Sequence, residues 1–207
     1  MKNTVGILNY KLGNLLSIKS AVEYLNYKCK IIDNLNNLED INCIIFPGVG
    51  AFDEAINYID TNDIRDKILD IFKNKKNIKM IGICLGMQIA FDKSEESTLN
   101  LKGLGIFSGS VKKFNNEINP PLNGWAKLQL GDEILIKDKY GFLKDKRVYF
   151  THSYYCDTNK SDEIAYIKHR NFMYSALTIK DNFIGLQFHP EKSGPAGIEI
   201  LEKILVN

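Results

Sequence analysis

Met80-Ile81-Gly82-Ile83-Cys84-Leu85-Gly86-Met87-Gln88 is the stretch on which the fold turns. A short apolar run, Met80 to Ile83, reads as a strand and ends at a cysteine held between two glycines. This is the G-x-nucleophile-x-G form, in which a strand hands over to a helix through a tight turn. The glycines permit close packing and unusual backbone angles. The side chain between them projects toward a helix N-terminus, whose dipole favours a thiolate. A buried structural cysteine beside strand-turn glycines satisfies the same five letters, so the surrounding chain has to decide.

Upstream, Val5 to Leu8 and Cys43 to Phe46 are further short apolar runs, the second broken by Pro47-Gly48. Between and after them lie stripes at helical spacing: Leu15, Ile18, Val22 and Leu25 following the Gly13-Asn14 turn, then Ile64, Ile68 and Ile71. Strand-like runs alternating with helical stripes predict an α/β fold with a mostly parallel central sheet flanked by helices. From about Lys112 the signals become hairpin-like. Val148 to Thr151, Ile164 to Ile167, Tyr174 to Ile179 and Phe183 to Phe188 are candidate strands, with Lys180-Asp181-Asn182 as a turn. They predict additional antiparallel strands in the C-terminal half. Ile198, Ile200, Leu201 and Leu205 suggest a closing helix, with Pro195 near its start. There is no repeat or linker, and 207 residues suit one domain spanning 1–207.

Composition narrows the function classes. The chain is 44% hydrophobic and 25% charged, as expected of a packed globular protein. Its 27 basic and 25 acidic residues are interspersed, whereas nucleic-acid binding needs a concentrated basic patch. Neither nucleic acid nor a membrane surface is expected as a partner. The opening Met1-Lys2-Asn3-Thr4 leads into an apolar run too short for a signal peptide, and no run reaches membrane-spanning length. The expected compartment is the cytoplasm. Cys29, Cys43, Cys84 and Cys156 have no paired spacing for a zinc cage or a disulfide framework, so no metal and no cofactor are expected.

His189-Pro190-Glu191 supplies a possible acid/base pair. In extended backbone, residues two apart point to the same side, and Pro190 fixes its own φ while biasing His189 toward extended geometry. Imidazole and carboxylate can then lie side by side. Taken alone, the tripeptide reads more readily as a surface histidine beside a turn. Phe46-Pro47-Gly48-Val49-Gly50 ends a strand in a glycine-rich bend able to present N–H groups to a developing oxyanion, or is simply a tight connection. Asn14, the aromatic segment Tyr149 to Tyr155 and the lone tryptophan in Gly124-Trp125 carry weaker signals, since aromatic runs are more often core or interface than catalytic.

Together, Pro47-Gly48-Val49-Gly50, Gly82-Ile83-Cys84-Leu85-Gly86-Met87-Gln88 and Gln187-Phe188-His189-Pro190-Glu191 resemble, in order and spacing, the class I (triad) glutamine amidotransferases. Within that family the chain is similar to the glutaminase subunits of imidazole glycerol phosphate synthases, through Asn9 to Asn14, Pro47 to Phe52, Thr151 to Tyr155 and His189 to Gly194. The resemblance spans essentially the whole chain. That branch usually opens its first motif with Asp-Tyr-Gly and follows Gly-Trp with Asn; Asn9, Lys11 and Ala126 stand here instead.

The resemblance implies a Cys84–His189–Glu191 triad that hydrolyses L-glutamine to glutamate and ammonia. Cys84 would form a γ-glutamyl thioester, His189 would carry protons, and Glu191 would orient the imidazole. Backbone N–H groups around Gly48, Val49 and Gly50, and at Leu85, would form the oxyanion hole. Gln88, Ser153 and Tyr154 would bind glutamine, and Asn14, Trp125, Tyr149 and Lys192 would face a partner. The implied partner is a (β/α)₈-barrel cyclase in a heterodimer, which uses the ammonia to make imidazole glycerol phosphate and AICAR in histidine biosynthesis. Three alternatives stay open: a paralogue feeding amidino-sugar synthesis for surface glycans, a stand-alone γ-glutamyl hydrolase, and a non-catalytic interaction module.

Overall fold

The computed structural model describes residues 4–114, 122–131, 134–169 and 172–206; Met1 to Asn3 lie outside them. The strands are β1 (Thr4–Leu8), β2 (Lys28–Ile32), β3 (Ile41–Phe46), β4 (Lys79–Ile83), β5 (Phe91–Ser94), β6 (Phe107–Lys113), β7 (Leu122–Lys127), β8 (Gln129–Leu130), β9 (Arg147–His152), β10 (Tyr154–Thr158), β11 (Glu163–His169), β12 (Phe172–Lys180) and β13 (Phe183–Leu186). The helices are α1 (Leu15–Tyr24), α2 (Phe52–Thr61), α3 (Arg65–Asn74), α4 (Leu85–Gln88), α5 (Ile134–Tyr140) and α6 (Gly194–Val206).

An eight-stranded sheet runs in the order β2-β1-β3-β4-β13-β12-β11-β8. β2, β1, β3, β4 and β13 are mutually parallel. β12, β11 and β8 continue the sheet antiparallel. This is the expected α/β architecture, parallel in its first half with antiparallel strands added from the second. β5, β6 and β10 form a smaller sheet, and β7 pairs with β9 in a two-stranded ribbon.

The parallel strands β1, β3, β4 and β13 read as near-continuous apolar runs because both faces of the sheet are covered there. Alternation along them divides the core. Ile45, Ile81 and Ile83 point toward α1 and α6, packing with Ile18, Val22, Ile200 and Leu201. Ile44, Phe46 and Met80 point the other way, into a cluster with Phe52, Ile56, Ile59, Ile68 and Ile71 of α2 and α3. Among the described residues no helix is long and apolar enough to cross a membrane.

Two local expectations are revised. The last apolar run pairs as a strand only to Leu186, two residues short of Phe188. It also lies between β4 and β12, parallel to the first and joined to the second by a hairpin turning at Asp181-Asn182. In addition, Pro190–Lys192 forms a 3-10 turn instead of extended chain. Proline's fixed φ suits the first position of such a turn as well as it suits a strand end.

Candidate active site

The topology sets four strand ends side by side. In register, Phe46 of β3 lies beside Gly82 of β4, and Ile83 lies beside Leu186 of β13. The chain therefore leaves the carboxyl edge of the sheet as Asn9-Tyr10 after β1, Pro47-Gly48 after β3, Cys84 after β4 and Gln187-Phe188-His189 after β13. The crevice beyond the carboxyl ends of parallel strands is where open α/β sheets place their ligand sites.

Cys84 sits between β4 and α4 with φ 48° and ψ −102°, a conformation that costs a non-glycine residue of order 1–3 kcal/mol. Its surroundings hold it there. The Cys84 N–H donates to the Leu186 carbonyl at 2.6 Å, and its carbonyl accepts from the N–H groups of Met87 and Gln88, both at 3.0 Å. A Cβ on Gly86 would lie 2.2 Å from the Phe46 carbonyl oxygen, and one on Gly48 would lie 2.2 Å from that of Ile83 and 3.0 Å from Cys84 Cβ. Glycine at both positions is thus required for the Pro47–Gly50 strap to lie directly across the elbow. The helix that follows is a single turn, so its dipole is that of a few peptide units.

His189 and Glu191 meet in the turn after β13. Nδ1 of His189 is 2.8 Å from Oε1 of Glu191, and both side chains are 1% exposed. The contact arises from the 3-10 turn, not from the two-residue period of a strand. Burial pulls the imidazole down, but its interactions with Cys84 and Glu191 outweigh that and lift it to about 9. Since Glu191 occupies Nδ1, Cys84 acts on the Nε2 side, where no hydrogen bond is closed. Such gaps are common in sites awaiting a substrate.

Of the residues named for glutamine, Gln88 and Tyr154 are in direct contact. Gln88 Nε2 donates to the Tyr154 carbonyl at 3.2 Å, and His152 Nδ1 meets the same oxygen at 2.6 Å. Burial, with His189 adding, pushes His152 down to about 4 against the effect of that hydrogen bond. It is therefore a neutral imidazole donating through Nδ1. Ser153 lies between, and its carbonyl accepts from the Phe114 N–H at 3.4 Å.

Asn14 caps α1, accepting from the Ser17 N–H at 3.4 Å. Trp125 on β7 pairs in register with Tyr149 on β9, their rings edge to face at 6.0 Å. Trp125 is 49% exposed and Val49 44%. Lys192 is exposed in the turn that carries Glu191.

Sequence reasoning missed four residues here. Tyr10, fully buried, donates its hydroxyl to the Pro47 carbonyl. Glu96, half-buried in the turn after β5, accepts from the Phe52 N–H at 3.2 Å. Burial raises its carboxyl, the Phe52 bond opposes that, and Asp53 and Glu54 add to it. Ser193 and Gln187 are buried beside His189 and Cys84. Tyr10, Gln187 and Ser193 lay inside quoted motifs and Glu96 did not, and nothing in their local pattern marked a role.

A strand–cysteine–helix elbow facing a buried His–Glu pair at the carboxyl edge of a mixed sheet defines a class of α/β protein, and the comparisons name it. The chain belongs to the class I glutamine amidotransferases: the family profile described as "Glutamine amidotransferase class-I" matches residues 7–207. It is similar to the imidazole glycerol phosphate synthase subunit HisH of Trichodesmium erythraeum, 37% identical over 98% of this chain and 94% of that one. It is similar also to the subunit of the same name from Caldanaerobacter subterraneus subsp. tengcongensis, 37% identical over 96% of this chain and 95% of the relative. Its fold is like the solved structure of PurLQS from Thermotoga maritima, with a TM-score of 0.74 across 100% of this chain and 99% of that one at 17% identity.

Proposed function

We propose that residues 1–207 act as one glutaminase domain of the imidazole glycerol phosphate synthase type, with Cys84, His189 and Glu191 as the catalytic triad. The observation that carries the reading is the buried His189–Glu191 pair, 2.8 Å apart, with Nε2 of the imidazole left open on the side of Cys84. An imidazole oriented by a carboxylate beside a thiol is the arrangement nucleophilic catalysis requires.

In this mechanism Cys84 Sγ attacks the side-chain amide carbon of glutamine, and the carbonyl oxygen takes up negative charge. The N–H groups at Val49 and Leu85 receive that oxygen, with Gly48 and Gly50 shaping the strap; one such donor contributes about 2.7–4 kcal/mol. His189 protonates the departing nitrogen, ammonia leaves, and a γ-glutamyl thioester remains. Water then gives its proton to His189 and its oxygen to the acyl carbon, releasing glutamate and restoring Cys84. Gln88, Ser153 and Tyr154 hold the substrate, and the Glu96 carboxylate near Tyr154 is suited to its α-ammonium group.

Ammonia set free in water near neutral pH is protonated and ceases to be a nucleophile. The reading therefore includes a cytoplasmic (β/α)₈-barrel partner that receives it and makes imidazole glycerol phosphate and AICAR in histidine biosynthesis. Exposed Trp125 and Val49, with Tyr149, Lys192 and Asn14, supply the face for that partner. Lys11 and Ala126, the second on β7 beside Trp125, favour keeping a sugar-amidating acceptor as the second reading.

The experiment is a glutaminase assay on the chain alone and with each candidate barrel subunit. Turnover should be low alone, rise strongly with the correct subunit and its ligand, and vanish in Cys84→Ala. Equal rates with and without every partner would select a stand-alone hydrolase, and retained turnover in Cys84→Ala would remove the triad.

A further inference from the structure

The side-chain amide of Gln187 lies between two thiols. Gln187 is 0% exposed, and its backbone N–H is tied to the Ala176 carbonyl at 2.9 Å. Nε2 donates to Cys84 Sγ at 3.6 Å, while Oε1 accepts from Cys156 Sγ at 3.5 Å. Cys156, on β10, is itself fully buried, and burial, with Cys84 adding, pushes its thiol well above the ordinary range. It therefore keeps its proton wherever the protein is folded and works.

That proton decides which way the amide points. A thiol donates weakly and accepts weakly, whereas an amide carbonyl accepts well. Reversing the amide would turn the carbonyl lone pairs toward the sulfur of Cys84 and leave the NH₂ group against a poor acceptor. We propose that Gln187 is a positioning residue for the nucleophile: its amide N–H holds the Cys84 sulfur and neutralises part of the charge on the thiolate, and the Cys156 thiol fixes the amide in the donating orientation. The inference rests on the reading of Cys84 as nucleophile.

Several other groups face this sulfur. His189 approaches from the turn after β13 with Glu191 behind it and His152 beside it, Tyr10 approaches from the loop after β1, and Cys156 from β10. The Tyr10 hydroxyl is committed to Pro47, and burial, with Cys84 adding, keeps it protonated. His189 alone among them exchanges a proton with the sulfur, so its support changes through the cycle. Gln187 does not titrate, and its N–H is present at every step. It is present when the thioester breaks, as the water oxygen bonds to the acyl carbon, the water proton goes to His189 and the C–S electron pair returns to sulfur.

The test measures the rate at which a glutamine-shaped chloroketone alkylates Cys84 in the full-length protein, by peptide mass spectrometry, from pH 5 to 10. Gln187→Met keeps the length and loses the N–H. Its rate profile should move toward higher pH by about one unit, which is about tenfold slower labelling on the acid limb. Cys156→Val should move it the same way by less, and Cys156→Ser, which keeps a donor, should restore the original profile. A merely structural role would lower the rate without displacing the profile. A labelled wild type with an undisplaced Gln187→Met profile overturns the proposal and leaves the nucleophile standing, whereas a wild type unlabelled at Cys84 overturns both. Should Gln187→Met fail to fold by circular dichroism, the Cys156 pair decides. Displacement in the valine variant alone supports the proposal, and identical profiles overturn it.

Discussion

His189 hangs from Tyr149: its backbone N–H donates to the Tyr149 carbonyl at 3.0 Å. The link is doubled through Ser193, whose Oγ accepts from the Tyr149 N–H at 2.8 Å and donates to the His189 carbonyl at 2.6 Å. The ribbon strand β9 and the turn bearing the imidazole therefore move as one piece. Since Tyr149 belongs to the proposed partner face, docking there has a direct mechanical route to His189.

Ser193→Ala cuts that route. It leaves the Tyr149 N–H without its acceptor, and an unsatisfied buried donor costs about 1–3 kcal/mol, readable as a lower thermal midpoint. The ratio of partner-stimulated to basal turnover should fall by an amount equivalent to about 0.5–2 kcal/mol of coupling. If the variant loses stability but keeps the full ratio, the clamp is structural only.

Glu191→Gln tests the carboxylate by removing its charge while keeping its shape. The turnover number should fall about 10²-fold or more, within the range ascribed to positioned acid/base groups, with little change in KM. His189, held at about 9 against burial by Cys84 and Glu191, should lose part of that support. The alkaline limb of the pH–rate profile should then move to lower pH. A rate within a few-fold of wild type and an unmoved limb would exclude Glu191 from the triad.

The two buried histidines make stability depend on pH in opposite windows. His152 is boxed by the rings of Phe114, Phe150 and Tyr174 at 5.3, 5.6 and 5.7 Å, and burial first, with His189 adding, holds it at about 4. Below its ordinary value the unfolded chain takes up a proton that the native state refuses. Stability is therefore lost as pH falls from about 6.5 toward about 4, by up to roughly 3 kcal/mol. His189 has the reverse sign: its raised value adds stability that is complete below about 6.5 and lost as pH rises through about 9. Denaturant titrations at pH 4.5 and 7 should show a smaller difference for His152→Gln than for wild type; equal differences would refute the assignment.

The parts of this molecule legible in the sequence are those set by local pattern. Cys43 to Phe46 and Met80 to Ile83 read as strands because both sheet faces are covered, and Leu15 to Leu25 read as a helix because only one of its faces is. β2 escaped because it is a short edge strand, its Lys28, Lys30 and Ile31 exposed, with no continuous apolar run to mark it. α2 carried a usable signal in Phe52, Ala55, Ile56 and Ile59, overshadowed by the glycine-rich strap before it. The candidate site was legible as three motifs but not as a place. What joins them is the parallel pairing of β4 with β3 on one side and β13 on the other, the second a contact across about a hundred positions that no window of sequence contains. Ser193, Gln187 and His152 belong to that long-range layer, and each acts through a neighbour distant in sequence.

The last prediction concerns a departure from the family pattern. Lys11 stands at φ 62°, where the branch this chain resembles usually has glycine, and a side chain in left-handed backbone costs roughly 1–2 kcal/mol. Its compensations are slight. The N–H of Lys11 donates to Asn9 Oδ1 at 3.1 Å, a bond that glycine would keep. Its ammonium lies 3.6 Å from Asp33, with both side chains about two-thirds exposed at 64% and 65%, where ion pairs contribute little. Glycine would relieve the backbone strain and give back about 0.5–1 kcal/mol through the greater freedom of the unfolded chain. Lys11→Gly should therefore raise the stability by up to about 1 kcal/mol, read as a higher denaturant midpoint at unchanged slope. A clear loss of stability would mean that Lys11 makes a contact worth more than the strain it carries, and would turn attention to Asp33 as its anchor.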